Sequence, residues 1–299
     1  MQYKTEFRCP ICEGPEFEEL CTATDFFISK QSFALAKCKS CGFVLTWNPP
    51  KGERLASYYN SPNYIPHNKT NRTCFQILYG AARSIMLRKK IQFIEKETTK
   101  RNGFLLDYGC GAGYFANYAK SKGWSVTAMD SNSNARKYAL DQFSLTVLDE
   151  NQIKELPSQY YDVISLWHVL EHIEDLSTIW SELDRLLKPT GVLVLAVPNI
   201  ASFDARKYQE NWAAYDVPRH LWHFSPSTIQ QLGSKHGFCL ANRKPMPFDA
   251  FYISILSEKI RQSKLPFMKG CITGIQAWFK SLTKIDESSS MTYVFRKKR

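Results

Sequence analysis

From residue 103 onward, short apolar runs alternate with segments whose apolar residues recur every three or four positions. The runs Phe104–Asp107, Val126–Met129, Leu145–Leu148, Asp162–Trp167 and Val192–Val197 read as strands, since short continuous apolar stretches suit strands buried on both faces. Between and after them, 113–121, 133–141, 175–187 and 226–236 read as helices. The last carries its own punctuation, with Ser225 as N-cap, Pro226 at the first helical position and Gly237 as the stop. Such alternation predicts an α/β fold, a parallel sheet with helices on both faces. A sixth strand is expected near Phe238–Lys244 and a seventh, after a helical excursion, at Met291–Phe295. Upstream, 72–97 reads as a long basic helix striped by Ile77, Leu78, Ala81, Ile85, Ile91 and Ile94.

Residues 1–48 follow a different rule. Nine cysteines are an odd count, which argues against a disulfide framework, and four of them form Cys9-x2-Cys12 and Cys38-x2-Cys41. Each pair lets two thiolates converge on one ion, and two pairs complete a closed tetrahedral zinc site. A site closed by Cys9, Cys12, Cys38 and Cys41 is structural, because no coordination position stays open for chemistry. The intervening Glu13–Lys37 is expected to form a hairpin. The reading therefore divides the chain into a zinc ribbon at 1–48, a Tyr-rich lid and basic leading helix at 49–101, and a catalytic domain at 102–299 with a cap or insertion at 250–285.

Composition excludes more than it identifies. At 299 residues, 44% hydrophobic and 22% charged, the chain is neither disordered nor fibrous. Its longest apolar runs, such as Val192–Val197, fall far short of the roughly 20 residues of a spanning helix. The opening Met-Gln-Tyr-Lys-Thr-Glu lacks a signal-peptide core, so a cytoplasmic location is expected. The net charge of +11 is uneven: 69–101 and 250–299 carry +7 each, 1–68 is neutral, and 102–249 carries −3. The basic flanks suit a polyanion, but the neutral cysteine module makes nucleic acid an unlikely partner.

The chemistry concentrates at Leu105-Leu-Asp-Tyr-Gly-Cys-Gly-Ala-Gly113. A buried strand enters a glycine-rich turn and then a helix, whose N-terminal N–H groups suit a carboxylate or phosphate. A dinucleotide fingerprint would need glycine at 114, where Tyr stands. What is present is Asp-x-Gly-x-Gly-x-Gly, which resembles the first motif of class I S-adenosylmethionine-dependent methyltransferases. Tyr161-Asp-Val-Ile-Ser-Leu-Trp-His-Val-Leu-Glu-His172 and Leu186-Leu-Lys-Pro-Thr-Gly191 resemble the ubiquinone-biosynthesis O-methyltransferase-like branch of that superfamily. Cys38-Lys-Ser-Cys-Gly-Phe43, Pro49-Pro and Tyr58-Tyr resemble a subset with an N-terminal zinc module. The resemblance implies a Rossmann-like, seven-stranded, mostly parallel sheet and S-adenosylmethionine as methyl donor. It implies that Asp107, Gly109, Gly111 and Gly113 cradle the methionine end, that Asp130 holds the ribose and Asp149 the adenine edge. Trp167 and His168 would line the crevice.

Two histidine-bearing segments remain. His168-Val-Leu-Glu-His172 also fits an inverted zinc-hydrolase signature, but it stands where the methyltransferase pattern already expects Glu-His. A divalent metal at His168, Glu171 and His172 stays open. Trp212-Ala-Ala-Tyr-Asp-Val-Pro-Arg-His-Leu-Trp-His-Phe224 brings Asp216, Arg219, His220 and His223 into a loop after the fifth strand. Methyl transfer needs alignment and removal of a proton, and histidine titrates near neutrality. The expectation is His220 or His223 as general base, Arg219 holding an anionic oxygen and Asp216 orienting a histidine. Tyr58, Tyr59 and Tyr64 are expected in a lid, or in packing between the two modules. The favoured function is methyl transfer to a small acceptor, such as a sugar precursor, a quinone-like headgroup or another metabolite. An RNA or protein methyltransferase and a non-catalytic cofactor-binding partner are the alternatives. Residues 250–285, apolar and basic by turns, allow peripheral contact with an anionic membrane. Oligomeric state is not legible.

Overall fold

The computed structural model describes residues 2–4, 7–59 and 74–298. The chain opens with a small antiparallel sheet, β1 (Gln2–Lys4), β2 (Glu16–Thr24), β3 (Ser32–Cys38) and β4 (Val44–Thr46). β2 and β3 form a hairpin between the two cysteine pairs. A short α1 (Glu53–Ala56) and the long α2 (Cys74–Thr98) follow. In α2, Ile91 and Ile94 are buried as expected. Ile85 is exposed instead, and Leu87 and Phe93 complete the buried face. Tyr64 and the side chains of Ile77, Leu78 and Ala81 lie outside the described residues.

The large sheet begins with β5 (Gly103–Tyr108), α3 (Tyr114–Ser121), β6 (Trp124–Met129), α4 (Ser133–Phe143) and β7 (Val147–Leu148). It continues through β8 (Tyr161–Trp167), α5 (Leu176–Leu186) and β9 (Leu187–Pro198). After α6 (Phe203–Tyr208) and the two-residue β10 (Trp222–His223), the chain runs through α7 (Pro226–Lys235) and β11 (Phe238–Pro245). The helical excursion is a pair, α8 (Asp249–Ile260) and α9 (Pro266–Thr283), before β12 (Ser290–Lys297). Strand order is β11-β12-β9-β8-β5-β6-β7, with β5 to β9 parallel and β12 antiparallel to its neighbours. The alternation predicted the parallel strands, and the resemblance implied the Rossmann-like, seven-stranded, mostly parallel sheet that is found.

Val163, Ile164, Leu166, Leu193, Val194 and Leu195 are fully buried, which is why these strands read as unbroken apolar runs rather than alternating ones. On one face, α5 seats Trp180 against the rings of Phe238 and Phe295, a burial stabilising by about 1.5–3 kcal/mol per large side chain. Asp175 caps α5, and Ser225 with Thr228 caps α7, each contributing about 1 kcal/mol. The chain order reverses between β7 and β8, so the carboxyl ends of β5 and β8 flank the crevice where open α/β sheets bind ligands.

The small sheet takes its fifth strand from far downstream. β10 pairs with β4, Trp222 opposite Leu45 and His223 opposite Val44. Phe17, Phe43 and Leu45 share one continuous core with Leu176, Phe224 and Leu232. The cysteine-bearing unit is thus fused to the α/β unit through the His-rich loop.

Candidate active site

β5 turns into α3 through three glycines with φ of 72°, 54° and 77° at Gly109, Gly111 and Gly113, a region that side chains avoid. A Cβ on Gly109 would stand 2.4 Å from Val169 Cγ2, whereas one on Gly111 would meet only open space. Gly109 therefore lets the turn pack on the loop after β8, and Gly111 leaves bare main chain on the open side. Below them Asp107 Oδ1 accepts from Ser165 Oγ at 2.9 Å, while its Oδ2 is buried without a hydrogen-bond partner among the described residues. Burial pushes the Asp107 carboxyl up to about 7, against Ser165 and Lys90. A buried acceptor without a donor fits a cationic or N–H-bearing ligand group. At the end of β6, Asp130 accepts from Gly111 N at 2.7 Å and Asn132 N at 2.9 Å, and burial raises its pKa. Asp149, beyond β7, caps the following turn through Asn151 N and pairs with Arg136 at 2.9 Å.

Trp167 closes the end of β8, its ring 5.5 Å from Phe115, with Lys90 Nζ 4.1 Å from the ring centroid. Burial brings the Lys90 ammonium down to about 8, opposed by Asp107 and Asp249. Beside them opens a cleft of about 640 Å³ between α2 and the β11–α8 turn.

His168 holds a strained φ of 58°. Its Nε2 lies 3.1 Å from Asp249 and its Nδ1 3.5 Å from Glu171. Burial disfavours the charged ring, but the two carboxylates prevail and hold its pKa at about 9. The ligating atoms of Glu171, His172 and His220 lie within 4.8 Å of one another, so the loop after β9 meets the segment after β8. The trio that converges contains His220 in place of His168. His220 Nδ1 is 2.8 Å from the Ala214 carbonyl, which only accepts, so Nε2 is the basic nitrogen, 3.9 Å from Asp216. His172 Nδ1 bonds the Arg219 carbonyl at 3.1 Å and the Tyr59 hydroxyl at 3.0 Å. Burial and His220 lower the His172 pKa to about 4.

Arg219 and His223 face elsewhere. Arg219 is 1% exposed, and its guanidinium donates to Asp216 at 3.0 Å, Asp25 at 3.2 Å and the Tyr58 carbonyl at 3.3 Å. His223 Nε2 donates to Thr46 Oγ1 at 3.1 Å, since the Thr46 hydroxyl itself donates to the His220 carbonyl at 2.7 Å. Burial lowers the His223 pKa to about 3. Both side chains therefore tie the loop to the small sheet, and the expectation that Arg219 offers a free cation to an acceptor is corrected by its two carboxylate partners.

In the small sheet, Cys9 and Cys41 sulfurs stand 3.6 Å apart and Cys12 and Cys38 3.5 Å, with all four within 4.8 Å. Thiolates about 2.3 Å from one tetrahedral ion are about 3.8 Å apart, so the donor set fits zinc.

A family model described as a methyltransferase domain matches residues 79–241, more than half of the chain. The chain belongs to that family. It is a class I S-adenosylmethionine-dependent methyltransferase. It is 28% identical over 171 residues to a ubiquinone biosynthesis O-methyltransferase of Rickettsia canadensis, covering 52% of this chain and 72% of that one. It is 27% identical to a malonyl-[acyl-carrier protein] O-methyltransferase of Pectobacterium atrosepticum, over 42% of this chain and 49% of that one. The match thus spans about half to three quarters of the length of these curated relatives. Among solved structures, a phosphoethanolamine N-methyltransferase of Haemonchus contortus with S-adenosyl-L-methionine superposes with a TM-score of 0.53 at 17% identity, covering 99% of this chain and 72% of that one. A geranyl diphosphate C-methyltransferase of Streptomyces coelicolor gives 0.52 at 15%, covering 83% and 100%. At such identities the superpositions establish the fold alone.

Lys90, Asp249, Asp25 and Thr46, all in contact with the predicted site residues or close to them, escaped sequence reasoning. Lys90 had a signal: it stands three residues after Leu87 and four before Ile94, a lysine on the buried face of α2. Asp25 and Thr46 had none, because their partners lie 194 and 174 residues away. The histidines also contribute to the loss of stability in acid. In the unfolded chain His172 and His223 take up protons from about pH 6.5 downward, whereas in the fold they resist until about 4 and 3. Their contribution is full above about pH 6.5 and declines as pH falls toward 4. Urea midpoints of the methyltransferase should fall across that window, and a flat profile would contradict the assignment.

Proposed function

We propose that the enzyme O-methylates a small acceptor that joins an anionic or strongly polar head to an apolar body. The cleft beside Trp167 supports this reading, since it sets Lys89, Lys90 and Lys244 next to Phe93 and Phe248. The named activities of the two O-methyltransferase relatives agree with oxygen as the atom methylated. Asp107, Gly109, Gly111 and Gly113 hold the methionine end of the donor, Asp130 the ribose and Asp149 the adenine edge. S-adenosylmethionine, when bound, supplies an electrophilic methyl group. An acceptor hydroxyl must lose its proton as it is methylated, and His220 Nε2 is the base, with Glu171 stabilising the imidazolium. His168, kept protonated, and Lys90 hold the anionic oxygen. Asp216, Arg219 and His223 are positioning residues, and the four cysteines hold a structural zinc. The proposed organisation keeps a zinc ribbon at 1–48, a leading segment at 49–101 and a catalytic domain at 102–299 capped by 250–285.

The test incubates the enzyme with methyl-labelled donor and a cell extract. Label is expected in an acidic small molecule, and label confined to RNA or protein would overturn the reading. Calorimetry with S-adenosylhomocysteine checks the cradle separately. Asp130→Ala should weaken binding about 10–100-fold, the loss of a charged hydrogen bond, and unchanged affinity would remove Asp130 from the site.

A further inference from the structure

The helix α9 is inside out. Its buried residues are Gly270, Thr273, Gly274, Ala277 and Ser281, while its exposed ones include Met268, Ile272, Ile275, Phe279 and Leu282. The small face follows from packing: a Cβ on Gly270 or Gly274 would stand 2.5 Å from Ile255 or 2.7 Å from Phe251, so α8 and α9 touch backbone to backbone. Nothing in the fold requires the large face. Its residues recur at steps of four and three, a continuous stripe along the helix, widened by Phe267 and Trp278, which are also exposed. A patch of this kind marks an interaction surface.

Charge decides what covers it. Between 259 and 285 stand six basic residues, Lys259, Arg261, Lys264, Lys269, Lys280 and Lys284, and no Asp or Glu. A second copy of the chain laid on this face would oppose like charges, whereas an anionic surface would meet opposite ones. Beside the stripe, Lys207, Arg261 and Lys269 border a recess of about 380 Å³, with Glu258, Thr273 and Ile272 also in its wall. Lys207 Nζ is held there by Thr273 Oγ1 at 2.8 Å and Gln276 Oε1 at 3.0 Å. Among the described residues no helix is long and apolar enough to cross a membrane, so the arrangement is that of a helix lying in an interface, aromatic and aliphatic residues inward and lysines at the headgroups.

We propose that the outward face of α9 docks the enzyme on an anionic lipid bilayer, with the Lys207–Arg261–Lys269 recess receiving a lipid phosphate. The apolar stripe of α9 is independent of the methyl-transfer reading, since it lies outside the matched residues 79–241; of the three basic residues of the recess, Lys207 alone falls within them.

Sedimentation with vesicles tests it, using the full chain, once with phosphatidylcholine alone and once with equal parts phosphatidylcholine and phosphatidylglycerol. Binding is expected only to the anionic vesicles and should weaken as salt shortens the Debye length. Each neutralised lysine, as in Lys264→Gln or Lys280→Gln, should lower partitioning about fivefold. Ile275→Glu with Phe279→Glu, both at exposed positions, should abolish sedimentation while leaving S-adenosylhomocysteine affinity intact. Absence of binding to either vesicle at low salt would overturn the proposal. So would binding untouched by the double variant, or a concentration-dependent dimer that the same variant dissociates.

Discussion

Replacing Cys38 with alanine, or stripping metal with a chelator, is expected to abolish methyl transfer although none of Cys9, Cys12, Cys38 and Cys41 lines the cleft beside Trp167. Cys38 is fully buried in the core shared by both units. A structural four-thiolate zinc contributes about 10–16 kcal/mol to the folding of the segment it organises, as large as the roughly 5–15 kcal/mol that stabilises a whole domain. The loss would not stay local. β4 supplies Thr46, whose hydroxyl donates to the His220 carbonyl and accepts from His223. The β2–β3 tip supplies Asp25, which pairs with the buried Arg219 at 3.2 Å. Without these partners the loop that presents His220 loses its support. Metal analysis should find one zinc per chain, and chelation should remove activity together with the cooperative thermal transition. Cys239→Ser, at an exposed position, serves as control. Active, folded protein free of zinc would refute the assignment.

His220→Ala should lower kcat by roughly 10²–10⁴ with S-adenosylhomocysteine affinity unchanged, the usual loss when a positioned base is removed. His223→Ala should behave differently. It removes the partner of Thr46 inside a buried sheet, so it should cost about 1–3 kcal/mol of stability and less turnover than His220→Ala. Arg219→Ala leaves Asp25 and Asp216 without their cation, a change costing about 3–5 kcal/mol when an ion pair is buried. Denaturant midpoints read against kcat separate the roles. If His220→Ala kept near-wild-type turnover, the base would have to be sought elsewhere in the trio.

The contrast between these two histidines shows how far sequence reading reached. Both stand in the same run, 219–224, and both have the chemistry of a base. What separates them is a hydrogen bond from His223 to Thr46, 177 residues upstream, and a carbonyl from Ala214 that fixes the proton of His220 on Nδ1. The glycine turn was legible because its constraint is local: a strand must turn into a helix past bare main chain, and glycine adopts that backbone without strain. Lys90 was half legible, as a charge on an apolar helical stripe. Ile85 was misread into that stripe because periodicity alone does not say which apolar residues meet a partner.

By itself, then, the sequence determined the α/β order, the glycine turn that follows Asp107, and the two Cys-x2-Cys pairs, all properties of neighbours along the chain. Only the tertiary structure decided that β10 joins the small sheet, that Arg219 is enclosed by Asp25 and Asp216, and that α9 turns its large apolar residues outward. These depend largely on contacts between residues tens to hundreds of positions apart, and the burial that shifts Lys90 and Asp107, like the carboxylates that hold His168 protonated against it, comes together only once the chain has closed around them.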